Sequence, residues 1–373
     1  MPTNLLLAGY LGCGNLGDDA VMLGLMEGLR GADVAFTVLS GAPEETYRLY
    51  GVRAVPRKDK AAVVAAIREC DALVFPGGSV FQDATSAASC AYYSALVGQA
   101  KKAKKMVVLV GQGVGPLGSW IGKRLARQAF QSADAVAVRD PASAALLRQI
   151  GVDRSISVGA DSSLLLPRPS GEESDAFSVA GMKSIGIAPR PLGKQTKAVI
   201  QLFGDLARLL FQAGYLPILV EMDRNEDGPV IEAIAKAQGG KVPDIRRVQT
   251  PMQLMQRLAR MDAVVAMRLH AGILGAAVGV PPFLVSYDPK VAAFAKLLDV
   301  AAAPSFDGLS ADRLFESFQA FMRERERNVK LVESRRQTLR DSAFVNVRVL
   351  SEALGIRLPG HGEPNSPRSS VPD

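Results

Sequence analysis

Short apolar runs alternate along the chain with longer amphipathic stretches. Each apolar run ends in a Gly- or Asp-rich turn, and the stretch that follows has helical periodicity. This alternation predicts parallel sheets that are covered by helices on both faces. The predicted strands are residues 4–8, 34–39, 72–75, 106–110, 135–138 and 155–158, then 184–188, 216–220, 263–266 and 282–286.

The amphipathic stretches predict eleven helices between these strands. Thr250 and Asp140 are good N-caps, and a proline at the first helical position follows each of them. Gly151 and Gly214 lie where left-handed C-caps are expected. The predicted helices are residues 20–30, 44–50, 61–69, 89–104, 121–132, 141–150, 197–213, 230–238, 252–261, 271–278 and 291–298.

The chain is too long, at 373 residues, for one ordinary core, and its periodicity breaks once near the middle. The break is a run of Pro, Ser, Gly and Glu at residues 167–174. We therefore predict two Rossmann-like domains, at residues 1–167 and 179–309, joined by a linker at 168–178. A charged helical segment at 310–355 is predicted to close the fold, and a polar tail at 356–373, which contains His361, is predicted to be disordered.

The net charge of +7 is spread along the chain, and it lacks the basic stripe with interleaved aromatics that is typical of nucleic-acid binders. One lysine-rich run, residues 101–105, ends a predicted helix. It complements the helix dipole or, alternatively, is weakly attracted to an anionic membrane surface. No apolar run is long enough to span a bilayer, and the chain enters its first strand without a basic leader. Together with three cysteines that lack metal-type spacing, these features predict a cytoplasmic protein with reduced thiols.

Unusual residues cluster where predicted strands end. In open parallel sheets, ligands bind beyond the carboxyl ends of the strands, so these loops together predict a cleft. The first, third and fourth strands lead into glycine-rich loops at residues 9–19, 76–83 and 111–116. Candidate binding residues in them are Gly14, Asn15, Gly77, Gly78, Ser79, Gln82, Asp83, Gln112 and Gly113.

The first loop resembles a dinucleotide fingerprint but departs from its glycine spacing. Asp18 and Asp19 open the following helix, where they would repel a pyrophosphate. A carboxylate there is suited to accept protons or hydrogen bonds from a sugar; alternatively, Asp18 only caps the helix. The turn at Gly77 and Gly78 exposes backbone N–H groups to an anion or a hydroxyl, although any strand-to-helix turn can look this way.

Cations follow strands in both halves. Arg139 ends one apolar strand, where it needs a phosphate, a carboxylate ligand or a structural acid such as Asp140. Arg190 lies on a stiff loop between two prolines, and the same alternatives apply to it.

The strongest signal is Arg268-Leu269-His270, which ends a strand and opens a helix of small residues. The N-terminus of such a helix favours an anion, and its small residues allow close approach. Lys290 follows the next predicted strand, and because neighbouring strands lie ~4.8 Å apart, His270 and Lys290 are placed to share one phosphate. Residues 268–270 therefore predict a binding site for a phosphorylated ligand.

Together these segments resemble the polysaccharide pyruvyl transferase family, particularly its CsaB-like branch. The resemblance covers roughly residues 4–300 and rests on the loops at 9–19, 77–83 and 111–116, on 138–140, on 267–270 and on 286–290. It implies a GT-B-like architecture and transfer of a pyruvyl group from phosphoenolpyruvate to a sugar as a cyclic ketal, with no metal or other cofactor. It also implies that Arg139, His270 and Lys290 hold or activate phosphoenolpyruvate.

We expect Arg139, Arg268 and Lys290 to neutralise the donor's carboxylate and phosphate. His270 is expected to donate a proton or to assist phosphate departure, and Asp18 or Asp83 to orient or deprotonate the acceptor. The branch suggests N-acetylmannosamine on a lipid-diphosphate-linked precursor, or a nucleotide-linked sugar, as acceptor. It also suggests that the protein acts at the inner face of the membrane. The sequence gives no indication of oligomeric state.

Two segments depart from the family pattern. Residues 221–227 stand where an aromatic or His is expected, and Pro191 and Leu192 stand where an aromatic is common. Both segments would touch the acceptor, so its identity stays open. The competing interpretations are a GT-B glycosyltransferase that uses a nucleotide sugar, and a non-catalytic sensor of a phosphorylated metabolite or glycan.

Overall fold

The structure of the protein, a computed structural model, describes residues 1–83, 87–170, 181–240, 242–245, 248–300 and 304–359. Two parallel sheets carry the fold, which confirms the predicted α/β class with two Rossmann-like halves. The first sheet has the order β3-β2-β1-β4-β5-β6-β7. Its strands are β1 Thr3–Leu7, β2 Val34–Ser40, β3 Arg53–Pro56, β4 Ala72–Phe75, β5 Met106–Gln112, β6 Ala135–Val138 and β7 Ser157–Val158.

Both faces of the first sheet are buried, as expected of a parallel sheet. Leu5 and Leu7 of β1 point into one apolar cluster, and Leu6 points into another on the opposite face. The covering helices are α1 Leu16–Gly28, α2 Pro43–Tyr50, α3 Lys60–Glu69, α4 Ala87–Lys102, α5 Trp120–Ser132 and α6 Pro141–Gln149, and a 3₁₀ turn follows at Ser162–Leu165.

The second sheet has the order β10-β9-β8-β11-β12. Its strands are β8 Lys183–Ala188, β9 Tyr215–Val220, β10 Asp244–Ile245, β11 Ala263–Ala266 and β12 Pro282–Leu284. Its helices are α7 Thr196–Gln212, preceded by a 3₁₀ turn at Gly193–Gln195, then α8 Gly228–Ala237, α9 Pro251–Leu258, α10 Leu269–Ala277 and α11 Pro289–Leu298. Strands β3 and β10 were not predicted, because both are short edge strands without an apolar run.

The closing segment is two helices where the sequence predicts one: α12 Ala311–Arg323 and α13 Arg325–Leu354. Glu324 separates them and is the only residue between the two. The amide of Asn328 donates to the carbonyl of Phe321 across the bend, and Arg325 binds Asp262 in the second half. The helix is therefore interrupted beside a contact with the second half, and no Gly or Pro marks the position.

Helix α13 returns to the first half of the chain. Its buried Asn346 accepts from the backbone N–H of Gly111 and donates to the carbonyl of Ala160 and to Ser162. The helix thereby packs against β5, β6 and the 3₁₀ turn of the first half, and it also contacts α10 and α11.

The predicted domain limits stay predictions. Most of the predicted linker, from residue 171 to 178, and the predicted tail from residue 360 onwards, with His361, lie outside the described residues. Within the described ranges, no helix combines the length and apolar character needed to cross a membrane.

Each sheet reverses its direction of strand addition once. The chain adds β2 and β3 on one side of β1 and then places β4 on the other; in the second sheet it adds β9 and β10 and then places β11 beside β8. A crevice forms at such a reversal, outside the carboxyl ends of the two strands, and ligands bind there. The loops from β1 and β4 and the loops from β8 and β11 all contribute residues to one cleft.

Candidate active site

A cleft of about 260 Å³ lies between the two halves, and side chains from both halves line it. Ten of the sixteen predicted site residues are in its wall. They are Asn15, Asp18, Ser79, Gln82, Arg139, Arg190, Arg268, Leu269, His270 and Lys290.

The first glycine-rich loop reaches across to the second half. Asn15 caps α1 by accepting from the N–H groups of Gly17 and Asp18, and its amide donates to Asp223 at 3.1 Å. The amide of Asn225 donates in return to the carbonyl of Cys13 at 2.7 Å. The loop that resembles a dinucleotide fingerprint thus joins the two halves in this protein.

Arg139 and His270 share one buried carboxylate. Asp161 Oδ2 accepts a hydrogen bond from Arg139 at 3.1 Å and lies 3.4 Å from Nε2 of His270, although the latter geometry is not that of a hydrogen bond. Burial alone would raise the pKa of Asp161, but His270 and Arg139 hold it well below its usual range. Arg139 also donates to Ser79 at 2.9 Å. The sequence left open which acid pairs with Arg139. In the structure this acid is chiefly Asp161, because Asp140 lies farther away, at 3.7 Å.

Two further cations face the same space. Lys290 Nζ lies 3.5 Å from Asp288, which caps α11, and burial together with nearby Arg139 and Arg190 lowers the pKa of Lys290. The guanidinium of Arg190 lies over the ring of Tyr287, at 5.3 Å from its centroid, and donates to its hydroxyl. One cleft thus receives three cations, Arg139, Arg190 and Lys290, and the imidazole of His270, and these side chains come from both halves.

Arg268 is engaged by acids of its own half. It forms an ion pair with the buried Asp227 and another with Glu226 at 2.8 Å. Burial acts against the charged form, but these carboxylates raise the pKa of Arg268. Its charge is balanced before any ligand arrives, so its placement favours shaping the cleft over neutralising an anion.

Asp18 lies on α1 and lines the cleft. Burial raises the pKa of its carboxyl group, His270 and Arg139 act in the opposite direction, and Asp223 and Asp161 reinforce the rise. A carboxyl group with a raised pKa is suited to exchange a proton near neutral pH.

The six other predicted site residues lie behind or beside the cleft. A Cβ on Gly113 would lie 2.5 Å from the guanidinium of Arg139, and one on Gly78 would lie 2.9 Å from Asp18, so these glycines make room for the side chains that line the cleft. A Cβ on Gly77 would lie 2.6 Å from the side chain of Val21, so this glycine leaves space for helix α1. The carbonyl of Gly14 accepts from the N–H of Arg224.

Gln112 and Asp83 also face away. Gln112 is fully buried and donates to the carbonyls of Phe75 and Val110. Asp83 accepts from the N–H groups of Gly118 and Ser119 and from the Ser119 hydroxyl; burial acts to raise its pKa, but these bonds together lower it. The expectation that Asp83 contacts the acceptor has no support in this geometry, because its carboxylate holds the loop before α5.

Residues of the site that were not singled out as candidates from the sequence include Asp161, Tyr10, Asp223 and Tyr93. Asp161 follows β7, and Tyr10 and Asp223 follow β1 and β9, so the rule about strand ends would have found them. Tyr93 lies inside α4, and no sequence signal separates it from an ordinary core residue. Among the described residues, His, Cys, Asp and Glu side chains do not form a group of three or more that could hold a metal ion.

The two sheets and their shared cleft define a GT-B-like protein. A candidate UDP-N-acetylglucosamine 2-epimerase from Listeria monocytogenes superposes with a TM-score of 0.67 at 12% identity, covering 96% of this chain and 98% of that chain. The UDP-GlcNAc 2-epimerase from Neisseria meningitidis, bound to UDP-GlcNAc, gives 0.61 at 11% identity, covering 94% and 100%. A glycosyltransferase from Rickettsia africae gives 0.53 at 12% identity, covering 95% and 98%.

The family is shown by sequence. The chain belongs to the polysaccharide pyruvyl transferase family, whose family model matches residues 15–289. No curated protein matches the chain. Membership supports a transferase that modifies a sugar or polysaccharide, and the matched range includes the cleft residues of both halves except Tyr10 and Lys290.

Proposed function

We propose that the protein transfers the pyruvyl group of phosphoenolpyruvate to a sugar as a cyclic ketal and releases phosphate. The observation that carries the proposal is the convergence of Arg139, Arg190, His270 and Lys290 on one cleft in a member of this family. Phosphoenolpyruvate has about three negative charges, and several positioned cations are the natural partners of such a ligand.

The donor would lie against the cations of both halves. Arg139 and Lys290 come from different sheets and face the same cavity, so one small anion can contact both. Their low exposure strengthens an electrostatic contact, because little water screens it. Arg190 extends the positive wall toward Tyr287 and is suited to the donor's carboxylate. Arg268, whose charge Asp227 balances, would hold the wall in place.

The reaction needs one proton on the methylene carbon, two C–O bonds at the central carbon and loss of the phosphate. Two sugar hydroxyls supply the oxygens, and their two protons end on the new methyl group and on the released phosphate. Asp18 would take a proton from an attacking hydroxyl, and His270 would give one to the donor as general acid, either at the methylene carbon or at the leaving phosphate. Asp161 would keep His270 oriented through its close approach to Nε2.

For the acceptor we propose N-acetylmannosamine on a lipid-diphosphate-linked or nucleotide-linked carrier, as in the CsaB-like branch. Asn15, Asp223 and Glu226 offer hydrogen-bonding groups on the side of the cleft that faces the donor cations, and Tyr10 offers a ring for a sugar to stack on. The protein would act in the cytoplasm at the inner face of the membrane, and it would need no metal or other cofactor.

The test is incubation with phosphoenolpyruvate and N-acetylmannosamine acceptors, followed by measurement of released phosphate and of the mass increment of a pyruvyl ketal. His270→Ala should lower turnover by roughly 10²–10⁴-fold, which is the usual contribution of general acid–base catalysis. Full turnover in that variant would remove His270 from the mechanism. Lack of product with every acceptor would overturn the proposal.

A GT-B glycosyltransferase that uses a nucleotide sugar is the second candidate, favoured by the shared fold of the Rickettsia glycosyltransferase. It predicts tight nucleotide binding in the second half and no phosphate release from phosphoenolpyruvate. Titration of the protein with UDP-sugars and with phosphoenolpyruvate separates the two candidates. A non-catalytic sensor would bind phosphoenolpyruvate, give no product and keep its affinity in His270→Gln.

A further inference from the structure

The N-terminal end of α5 presents an exposed apolar and basic surface beside the cleft. Trp120 is 70% exposed and Ile121 is 45% exposed, although α5 buries Gly122, Ala126 and Phe130 on its other side. Trp120 is the single tryptophan of the chain. Burying such side chains on a partner stabilises the complex, and an exposed Trp beside an Ile therefore indicates a contact surface.

Two cations follow these side chains on the helix, and Asp83, an acid beside the start of α5, is engaged by hydrogen bonds from Gly118 and Ser119. Lys123 and Arg124 are exposed on the next turn, and neither makes an ion pair with any residue that the structure describes. Residues 116–132 contain no Asp or Glu. Cations near a helix N-terminus are electrostatically unfavourable, so the stability of α5 does not account for them. This surface is complementary to a negatively charged partner.

The surface lies at the mouth of the cleft. Helix α5 follows the carboxyl end of β5, which is the edge where the cleft opens, and Gln82, next to Asp83, lines the cleft itself. Asp83 holds the loop that leads into α5 through three hydrogen bonds from Gly118 and Ser119. Trp120 therefore directly follows a loop that Asp83 ties to the residues lining the cleft.

The lysine-rich run at residues 101–105 lies at the other edge. Helix α4 ends there, just before β5 begins, so these lysines are placed at the amino ends of the strands. Lys101 is also paired with Asp134 at 2.7 Å. The run that the sequence suggested for a membrane thus faces away from the cleft mouth.

We propose that Trp120, Ile121, Lys123 and Arg124 dock the protein on an anionic membrane surface with the cleft mouth turned toward the lipid. Trp prefers the interface between headgroups and acyl chains, and Lys and Arg are attracted to anionic headgroups. The docking itself does not depend on the chemistry in the cleft. Only its use, delivery of a lipid-linked acceptor, rests on the proposed function.

The single tryptophan allows a direct test with the full-length protein. Vesicles of phosphatidylcholine with phosphatidylglycerol should shift Trp120 emission to shorter wavelength, and brominated acyl chains should quench it; pure phosphatidylcholine should do much less. Lys123→Ala with Arg124→Ala should weaken vesicle binding roughly thirty-fold, since each cation near an anionic surface contributes a factor of about five. Trp120→Ala should weaken binding in a flotation assay.

The matched controls lie elsewhere on the surface. Phe211→Ala removes another exposed aromatic, and Lys102→Glu with Lys104→Glu alters charge at the opposite edge; both should keep wild-type binding. Unshifted emission with anionic vesicles overturns the proposal. So does loss of binding in the Lys102 and Lys104 variant, or an emission shift that a soluble disaccharide alone produces.

Failure of the proposed function gives a different pattern. If the protein forms no ketal, vesicle binding and its dependence on Trp120 should remain. If the docking is wrong but the function is right, Trp120→Ala should change turnover with neither acceptor, the water-soluble one or the one embedded in vesicles.

Discussion

Asp161→Asn tests the central ion pair of the cleft. Asp161 is 5% exposed and Arg139 is 6% exposed, so little water is available to replace a lost partner. The two carboxylate oxygens have separate roles: Oδ1 accepts from Ser163, and Oδ2 faces Arg139 and His270. Asparagine can still accept from Ser163, but its amide N–H₂ group then faces the guanidinium of Arg139. Both groups are hydrogen-bond donors, so no hydrogen bond forms between them.

Removal of one partner from a buried ion pair costs roughly 3–5 kcal/mol, because the other charge stays buried and unpaired. We therefore expect the melting temperature of Asp161→Asn to fall by roughly 5–15 °C. The pKa of Asp161 is depressed in the folded protein, so its stabilising contribution is present above the ordinary pKa of 3.8 and is lost as pH falls below that value. The wild type and the variant should thus converge in acid.

Urea unfolding at pH 7 and at decreasing pH down to about 2, followed by circular dichroism, measures both effects. Asp140→Asn is the matched control, because Asp140 also faces Arg139 but at 3.7 Å, and asparagine can replace it as the cap of α6. Phosphoenolpyruvate, as an added anion, should raise the melting temperature of Asp161→Asn more than that of the wild type. If the two variants unfold within about 1 kcal/mol of each other, Arg139 does not depend on Asp161 and the reasoning fails.

Two further substitutions test packing and burial. Gly17→Ala places a Cβ 2.3 Å from Nδ1 and 2.8 Å from Cβ of His270, so the whole side chain must move, and turnover should fall by ~100-fold together with some loss of stability. Gly98→Ala is its control, since nothing lies within 4 Å of the added carbon and activity should be unchanged. Burial raises the pKa of Asp19 to about 6, so its contribution to stability is present below 3.8 and is lost as pH rises through 6. Asp19→Asn should be more stable than the wild type at pH 8 by up to ~3 kcal/mol and equal to it near pH 4; parallel stability curves between these pH values would contradict the burial argument.

Much of the site could be predicted because parallel strands share one edge. Arg139, His270 and Lys290 each follow an apolar run, and that rule places each of them at the carboxyl edge of its own sheet. The packing of the two sheets across the cleft then brings them together. The glycines were harder to interpret. Backbone N–H groups exposed by a turn predict ligand contact, whereas Gly78 and Gly113 are small to leave space for Asp18 and Arg139.

Long-range pairing could not be predicted. Arg268 and its partner Asp227 are 41 residues apart, and only the folded β9 and β11 loops bring them together. The interruption at Glu324 could not be predicted either, because no local breaker marks it and Arg325 binds Asp262, 63 residues away, beside it. Charges in a sequence show where partners are needed, but the tertiary structure decides whether a ligand or the protein supplies them.

Because of helix α13, folding of the first half depends on a segment that is synthesised much later. The strands of the first sheet leave the ribosome early, but Asn346, which satisfies Gly111, Ala160 and Ser162, is made 184 residues after Ser162. Domains usually fold as they emerge, from the N-terminus onward. Here the first half keeps one face open until α13 docks, so a nascent chain that lacks this helix exposes the buried face of β5 and β6 to chaperones and proteases.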